Sequence, residues 1–328
     1  MRKLTYLVLA LAAIYAGYWF IGASAVEKGM KSQIAKINEA GWDISFSDLS
    51  TEGFPSRFDT SATDLSFTTP NAGLTWTAPF VQANALSYQP NNVIAVFPDQ
   101  QEITIDGQSI VVNSDGLRAN VAVAAGTDLD LSNLTAEVGA MTLELTSGPL
   151  TSITDGLIAV RPSGAPLTYD AFLNLDNLAL PPALCAVLDP SGSLPDTFSQ
   201  TVIDAQVTFD AKLDRHALSA KKLPLIDKIV LNGATLSWGT IELRGSGELT
   251  IDLGGVPTGQ ITLNAQNWPD VLQIATKTGV IDPQIANTMR NAGRLLSGGS
   301  TDISLPLNFS NGLMSIGPIP LGPAPRFR

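Results

Sequence analysis

The chain holds one histidine, His216, and one cysteine, Cys185. A single histidine excludes a histidine-rich metal site, and any Ser-His-Asp arrangement would have to use it. A single cysteine cannot close an internal disulfide; Cys185 sits in Ala183-Leu184-Cys185-Ala186-Val187, where cysteine behaves as a small apolar residue. Positive charge is scarce as well. Lys and Arg number 19 against 30 Asp and Glu, a net charge of −11, and residues 58–211 carry 17 acids against Arg118 and Arg161 alone. Binding nucleic acid requires clustered cations, so nucleic acid is excluded as a partner.

Catalytic motifs are missing too. No Gly-x-Ser-x-Gly elbow occurs; Gly245-Ser246-Gly247 has the wrong spacing and lies in an alternating strand pattern. Asp128 and Asp130, expected on one strand face, lack the glycine and terminal glutamate of a calcium loop. The sequence thus points to no catalytic residue, metal ligand or cofactor. Thirty acids leave a carboxylate pair acting on glycans open as the enzymatic alternative.

What is present begins with an uncharged run from Leu4 to Val26. Its core, Leu4–Ile21, has the length of a membrane span. Leu4, Leu7, Leu11 and Ile14 are its apolar body, and Tyr15, Tyr18, Trp19 and Phe20 form an aromatic belt at the far end. Arg2 and Lys3 mark the near end, while Ala23-Ser24-Ala25 also reads as a signal-peptide cleavage site, so residues 1–25 are predicted to be a membrane anchor or a signal peptide. Lys28, Lys31 and Lys36 nearly balance the near-end charges, and the large body that follows is expected to be translocated. These features predict a single-pass membrane protein with its body outside the cytoplasm.

Val26, Met30, Ile34 and Ile37 recur at helical spacing, and Gly41 supplies a stop, which predicts an amphipathic stalk helix over 26–41 packing on the body. From Asp43 onward, apolar residues alternate with Ser, Thr, Asn and Asp, as in Leu65/Phe67, Leu129/Leu131, Leu236/Trp238 and Ile303/Leu305/Leu307. Asp106-Gly107, Asp155-Gly156, Asn232-Gly233 and Asn311-Gly312 read as hairpin turns. The expected fold is mainly β: a large curved antiparallel sheet covered by a few helices. Helices are predicted around Pro182–Leu188, after an Asn267 cap with Pro269, and after an Asp282-Pro283 cap. Leu173-Asn174-Leu175-Asp176-Asn177-Leu178 echoes Leu263-Asn264-Ala265-Gln266-Asn267-Trp268. That echo suggests two related β modules, 42–198 with a Pro-rich joint at its end and 199–328 with two helices near its C-terminus.

The span, Gly41-Trp42, the segment Gly53-Phe54-Pro55-Ser56-Arg57-Phe58 and the ending from Asn311-Gly312-Leu313 through Gly317-Pro318-Ile319-Pro320-Leu321-Gly322 resemble the domain of unknown function 2125 family of Gram-negative bacteria. More distantly, Gly245-x-Gly247 with Gly259 and a following amphipathic helix is similar to C-terminal regions of AsmA-like proteins. That second resemblance implies an N-terminally anchored β protein of the cell envelope engaged in lipid handling. The expected function is therefore non-catalytic: acyl-lipid binding or envelope assembly and maintenance. A scaffold binding other envelope proteins through exposed strand edges is the alternative.

Overall fold

The computed structural model describes residues 2–70, 73–190, 192–217, 224–279 and 281–327. The chain is mainly β and antiparallel, with a long N-terminal helix and three shorter ones among the described residues. It divides into two compact units. The first takes the described residues of 1–138, 143–148 and 214–223, and the second those of 139–142, 149–213 and 224–328.

In the first unit, α1 runs unbroken from Arg2 to Glu39. Gly41, at φ +102°, ends it. Val26, Met30, Ile34 and Ile37 are half-buried, as their spacing predicts. They lie along β1 (Asp43–Ser45) and β2 (Asp48–Glu52), which both pair with the long strand β3 (Arg57–Thr68). Asn38 holds the far end of the helix through a paired bond, its Nδ2 donating to the Ile44 carbonyl at 3.0 Å and its Oδ1 accepting from Ile44 N–H at 2.9 Å. Trp42 packs on Phe67 with ring centroids 5.1 Å apart.

β3 pairs along its length with β4 (Leu74–Leu86), from Arg57↔Leu86 at one end to Thr68↔Thr75 at the other. One end of β4 then pairs with β5 (Gln89–Val96) and the other with β6 (Gln100–Ile105). β6 continues into β7 (Gln108–Ser114) through Asp106-Gly107, whose φ values of +48° and +81° suit a two-residue primed turn. β5 leads across to β8 (Arg118–Val123) and β9 (Leu131–Val138). Leu129 departs from expectation: it has φ +55° and, with Asp128 and Asp130, lies in the loop before β9 rather than on a strand face. β10 (Met141–Leu145) and β11 (Gly148–Ile153) follow and are divided between the units, 143–148 falling in the first and 141–142 and 149–153 in the second.

The second unit is a meander in which each strand pairs with the next. Its members are β12 (Asp155–Pro162), β13 (Thr168–Ala179), β14 (Thr197–Phe209), β15 (Ile226–Trp238), β16 (Ile241–Ile251), β17 (Pro257–Gln266), β18 (Ile303–Ser310), β19 (Leu313–Ile316) and β20 (Ile319–Pro323). Helix α2 (Pro182–Leu188) lies between β13 and β14, and α3 (Trp268–Lys277) and α4 (Pro283–Leu296) between β17 and β18. Asn311-Gly312 makes the predicted primed turn between β18 and β19, at φ +54° and +75°.

Three local readings are corrected. Asp155-Gly156 opens β12 instead of turning a hairpin. Asn232-Gly233 lies inside β15, where pairing skips from Leu231 to Ala234 and forms a bulge. Bulges and primed turns both favour Asn and Gly, so the dipeptide alone does not separate them. Asn267 precedes α3 but makes no capping bond: its backbone is left-handed at φ +53°, and its Nδ2 donates to the Thr240 carbonyl. Asp282 does cap α4, its Oδ1 accepting from Gln284 N–H at 2.7 Å.

Candidate functional site

Register across the second unit sorts its residues cleanly, because directly paired residues of an antiparallel sheet share a face. One transverse row runs Ile158, Leu173, Ile203, Ala234, Gly245, Leu263 and Leu305. The row beside it runs Val160, Ala171, Ala205, Leu231, Gly247, Ile261 and Leu307. This face is apolar over seven strands. The opposite face is polar and holds the ion pairs Arg161–Asp170 at 3.3 Å, Lys228–Glu248 at 2.8 Å and Arg244–Glu242 at 2.6 Å. The bulge at Asn232-Gly233 keeps Leu231 and Ala234 on the same face although they are three residues apart.

Cover over the apolar face is uneven. At one end, Leu180, Trp238 and Ile241 are buried beneath α2 and α3, with Cys185, Leu188, Val271 and Ile274 packed on them. Trp238 Nε1 donates to the Pro195 carbonyl at 2.6 Å. Next to it, α3 and α4 enclose Trp268, Leu272, Ile281, Ala286 and Ile303. Here α4 approaches so closely that a Cβ on Gly293 would stand 2.7 Å from the Trp268 ring. At the other end, Ala324 and Phe327 pack on the cluster of Leu249, Ile251, Ile261 and Phe309. Toward β12 and β14 the cover thins: Ile158 is 45% and Ile203 39% exposed.

The residues predicted as a membrane anchor form the second notable region, within the first unit. Leu4, Leu7, Leu11, Ile14, Tyr15, Tyr18 and Phe20 are exposed, whereas Trp19 turns inward and is buried with Ala23 and Phe58. A Cβ on Gly22 would come within 2.7 Å of the Phe58 ring, so glycine permits the helix this approach. Trp19 Nε1 donates to the Arg57 carbonyl at 2.7 Å. Tyr18 Oη donates to the Ser87 carbonyl at 2.7 Å, and Tyr15 Oη lies 3.1 Å from Ser87 Oγ. Farther along, Glu27 Oε1 accepts from Thr51 N–H at 2.8 Å. This docking of the belt onto Arg57 and Ser87 was not legible beforehand, since the partners lie 38 to 72 residues away in sequence.

The single histidine and the single cysteine both fall among the described residues. His216 is exposed, and its ring Nε2 accepts from Arg215 Nε at 3.2 Å. Cys185 is half-buried, and burial, joined by the carboxylates of Asp196 and Asp189, pushes its thiol above the usual range. It is therefore held as the poorly nucleophilic protonated form at neutral pH. Gly245-Ser246-Gly247 lies inside β16 as its alternation implies. No group of three or more His, Cys, Asp or Glu residues able to hold a metal ion occurs among the described residues.

Fold and site together describe an antiparallel β protein with a long apolar N-terminal helix and one extended, unevenly covered apolar sheet face. The chain belongs to the family described as "Uncharacterized protein conserved in bacteria (DUF2125)", whose model matches residues 19–325. Comparison with curated proteins and with solved structures returns no match. Residue 19, where the family match begins, is also the buried Trp19 of α1.

Proposed function

We propose that this is a single-pass inner-membrane protein whose periplasmic body binds the acyl part of a lipid and serves envelope assembly or maintenance without catalysis. Among the described residues, α1 is the one helix long and apolar enough to cross a membrane, a property shared with signal sequences. Retention is favoured by the docking of Trp19 and Ala23 into the first unit. Cleavage after Ala25 would remove both, and would leave the carbonyls of Arg57 and Ser87 without these donors. A cleaved leader has no physical reason to complete the core of the protein it leaves.

The observation that carries the lipid reading is the seven-strand apolar face with Ile158 and Ile203 left open. Strands stand about 4.8 Å apart, so seven span roughly 29 Å of continuous apolar surface. Acyl chains fit such a surface because they require area and no directed bonds. The anchor holds the protein beside a store of them. The distant similarity to AsmA-like proteins agrees in kind, as analogy between folds.

The test is mass spectrometry of lipids retained by the full chain after gentle extraction from its native membrane. A stoichiometric acyl lipid is expected. Ile203→Glu should lower its occupancy several-fold while leaving the melting temperature near the parent's, and Thr258→Glu on the opposite face should leave occupancy unchanged. Parent protein recovered empty but fully folded overturns the reading.

A further inference from the structure

Two turns of the first unit stand beside the anchor: residues 53–56 between β2 and β3, and Ser87-Tyr88 between β4 and β5. They are joined to each other, Ser87 N–H donating to the Ser56 carbonyl at 2.9 Å. Both are clamped to one short stretch of α1 through Tyr15, Tyr18 and Trp19. Ser87 is fully buried in this clamp, although it occupies a turn. Outward from it point Phe20 (62% exposed), Phe54 (52%) and Tyr88 (67%). Phe54 stacks on Phe20 with ring centroids 5.8 Å apart. Neither 53–58 nor 86–90 contains an acid; Glu52 and Asp59 flank the first, and the second lies in an acid-free stretch from Leu65 to Pro98.

Depth follows from helix geometry. A hydrocarbon core about 30 Å thick takes about 20 residues at 1.5 Å each. Counted from Leu4, such a span reaches Ala23. Ending it before Tyr15 would leave 11 residues, roughly 16 Å, far too little even for a thinned bilayer. The clamp at Tyr15–Trp19 therefore falls within the outer part of the bilayer, and the two turns must enter with it. Non-helical backbone is tolerated at that depth only when its polar groups are paired. Several of these groups are paired: Trp19 serves the Arg57 carbonyl, Tyr18 the Ser87 carbonyl, the Ser56 carbonyl the Ser87 N–H, and the Gly53 carbonyl the Arg57 N–H.

We infer that the two turns form a membrane-seating surface, with Phe54, Pro55 and Tyr88 inserted among the lipid headgroups and upper acyl chains beside the span. The inference rests on the reading of α1 as a retained span. Aromatic rings prefer this layer. The opposite end of the same strands, at Thr68, Thr75 and the Asp106-Gly107 turn, lies eleven residues or about 36 Å farther along β3 and stays in water.

The test uses the full chain with Cys185→Ser, reconstituted in vesicles of phosphatidylethanolamine with a minority of phosphatidylglycerol. Nitroxide labels are placed singly at Leu11→Cys, Phe54→Cys, Tyr88→Cys and Gln108→Cys, and power-saturation resonance compares access to oxygen and to a water-soluble nickel chelate. Labels at 54 and 88 should show several-fold lower nickel access than the label at 108, with oxygen access above it. If 54 and 88 match 108 while 11 remains lipid-shielded, the anchor stands and the seating surface is overturned. If 11 is also water-exposed, both fail.

Discussion

Gly247 and Gly259 lie near each other on adjacent strands, paired through Ile261 and Leu249, and both have left-handed-side backbone at φ +153° and +144°. A Cβ on Gly247 would stand 2.2 Å from the Gln260 carbonyl oxygen, and one on Gly259 would stand 2.2 Å from that of Glu248. Each clash is with backbone, which cannot rotate away. Gly247→Ala and Gly259→Ala should each cost about 2–4 kcal/mol in chemical denaturation. Gly245→Ala is the control, since its Cβ would meet only side chains at 3.5 Å or more and should cost about 1 kcal/mol or less. Reading these glycines as a strand pattern was possible from sequence. Their close backbone approach was not, because it depends on which strands become neighbours.

For single elements, α1 shows what periodicity reveals and what it withholds. Val26, Met30, Ile34 and Ile37 announced a packed helical face, since a 3.6-residue period has few other sources. Tyr15, Tyr18 and Trp19 announced only amphipathic rings, a chemistry that suits a headgroup layer and a protein carbonyl equally. The structure gives them protein partners. Tyr18→Phe keeps the ring and orphans the Ser87 carbonyl, so it should cost about 1–3 kcal/mol; Trp19→Phe orphans the Arg57 carbonyl and also shrinks a buried ring, so it should cost more, about 2–4 kcal/mol. Tyr6→Phe, on an exposed stretch of the helix, should cost nothing measurable. Denaturation of the full chain in micelles, followed by circular dichroism, checks all three. Elsewhere the strands were legible wherever one face was apolar, and failed where a bulge at Asn232-Gly233 or a left-handed Leu129 broke the alternation. The echoed segments share one detail beyond their letters: Asn177 and Asn267 are both left-handed, at φ +51° and +53°.

Across the whole molecule, charge is unevenly spread. Seventeen acids against two arginines over residues 58–211 set up a negative field that opposes approach to an anionic surface. Alkaline phosphatase fused after Arg328 should be active in intact cells, reporting the C-terminus in the periplasm; a fusion active only with a cytoplasmic reporter would reverse the proposed topology. The β class and the family resemblance were readable from sequence because both rest on repeated or contiguous residues. The apolar face was readable strand by strand, but its partial exposure was not, since α2, α3, α4 and the segment holding Ala324 and Phe327 reach it only through the fold. The unbroken helix from Arg2 to Glu39 has a mechanical meaning as well. Most anchored domains swing on a flexible tether, sampling a volume set by linker length. Here the tether length is zero for the first unit, which is fastened to the helix at Trp19, Glu27 and Asn38; with α1 as the proposed span, any tilt of the helix becomes a tilt of that unit, and its height relative to the lipid becomes a fixed dimension rather than an average.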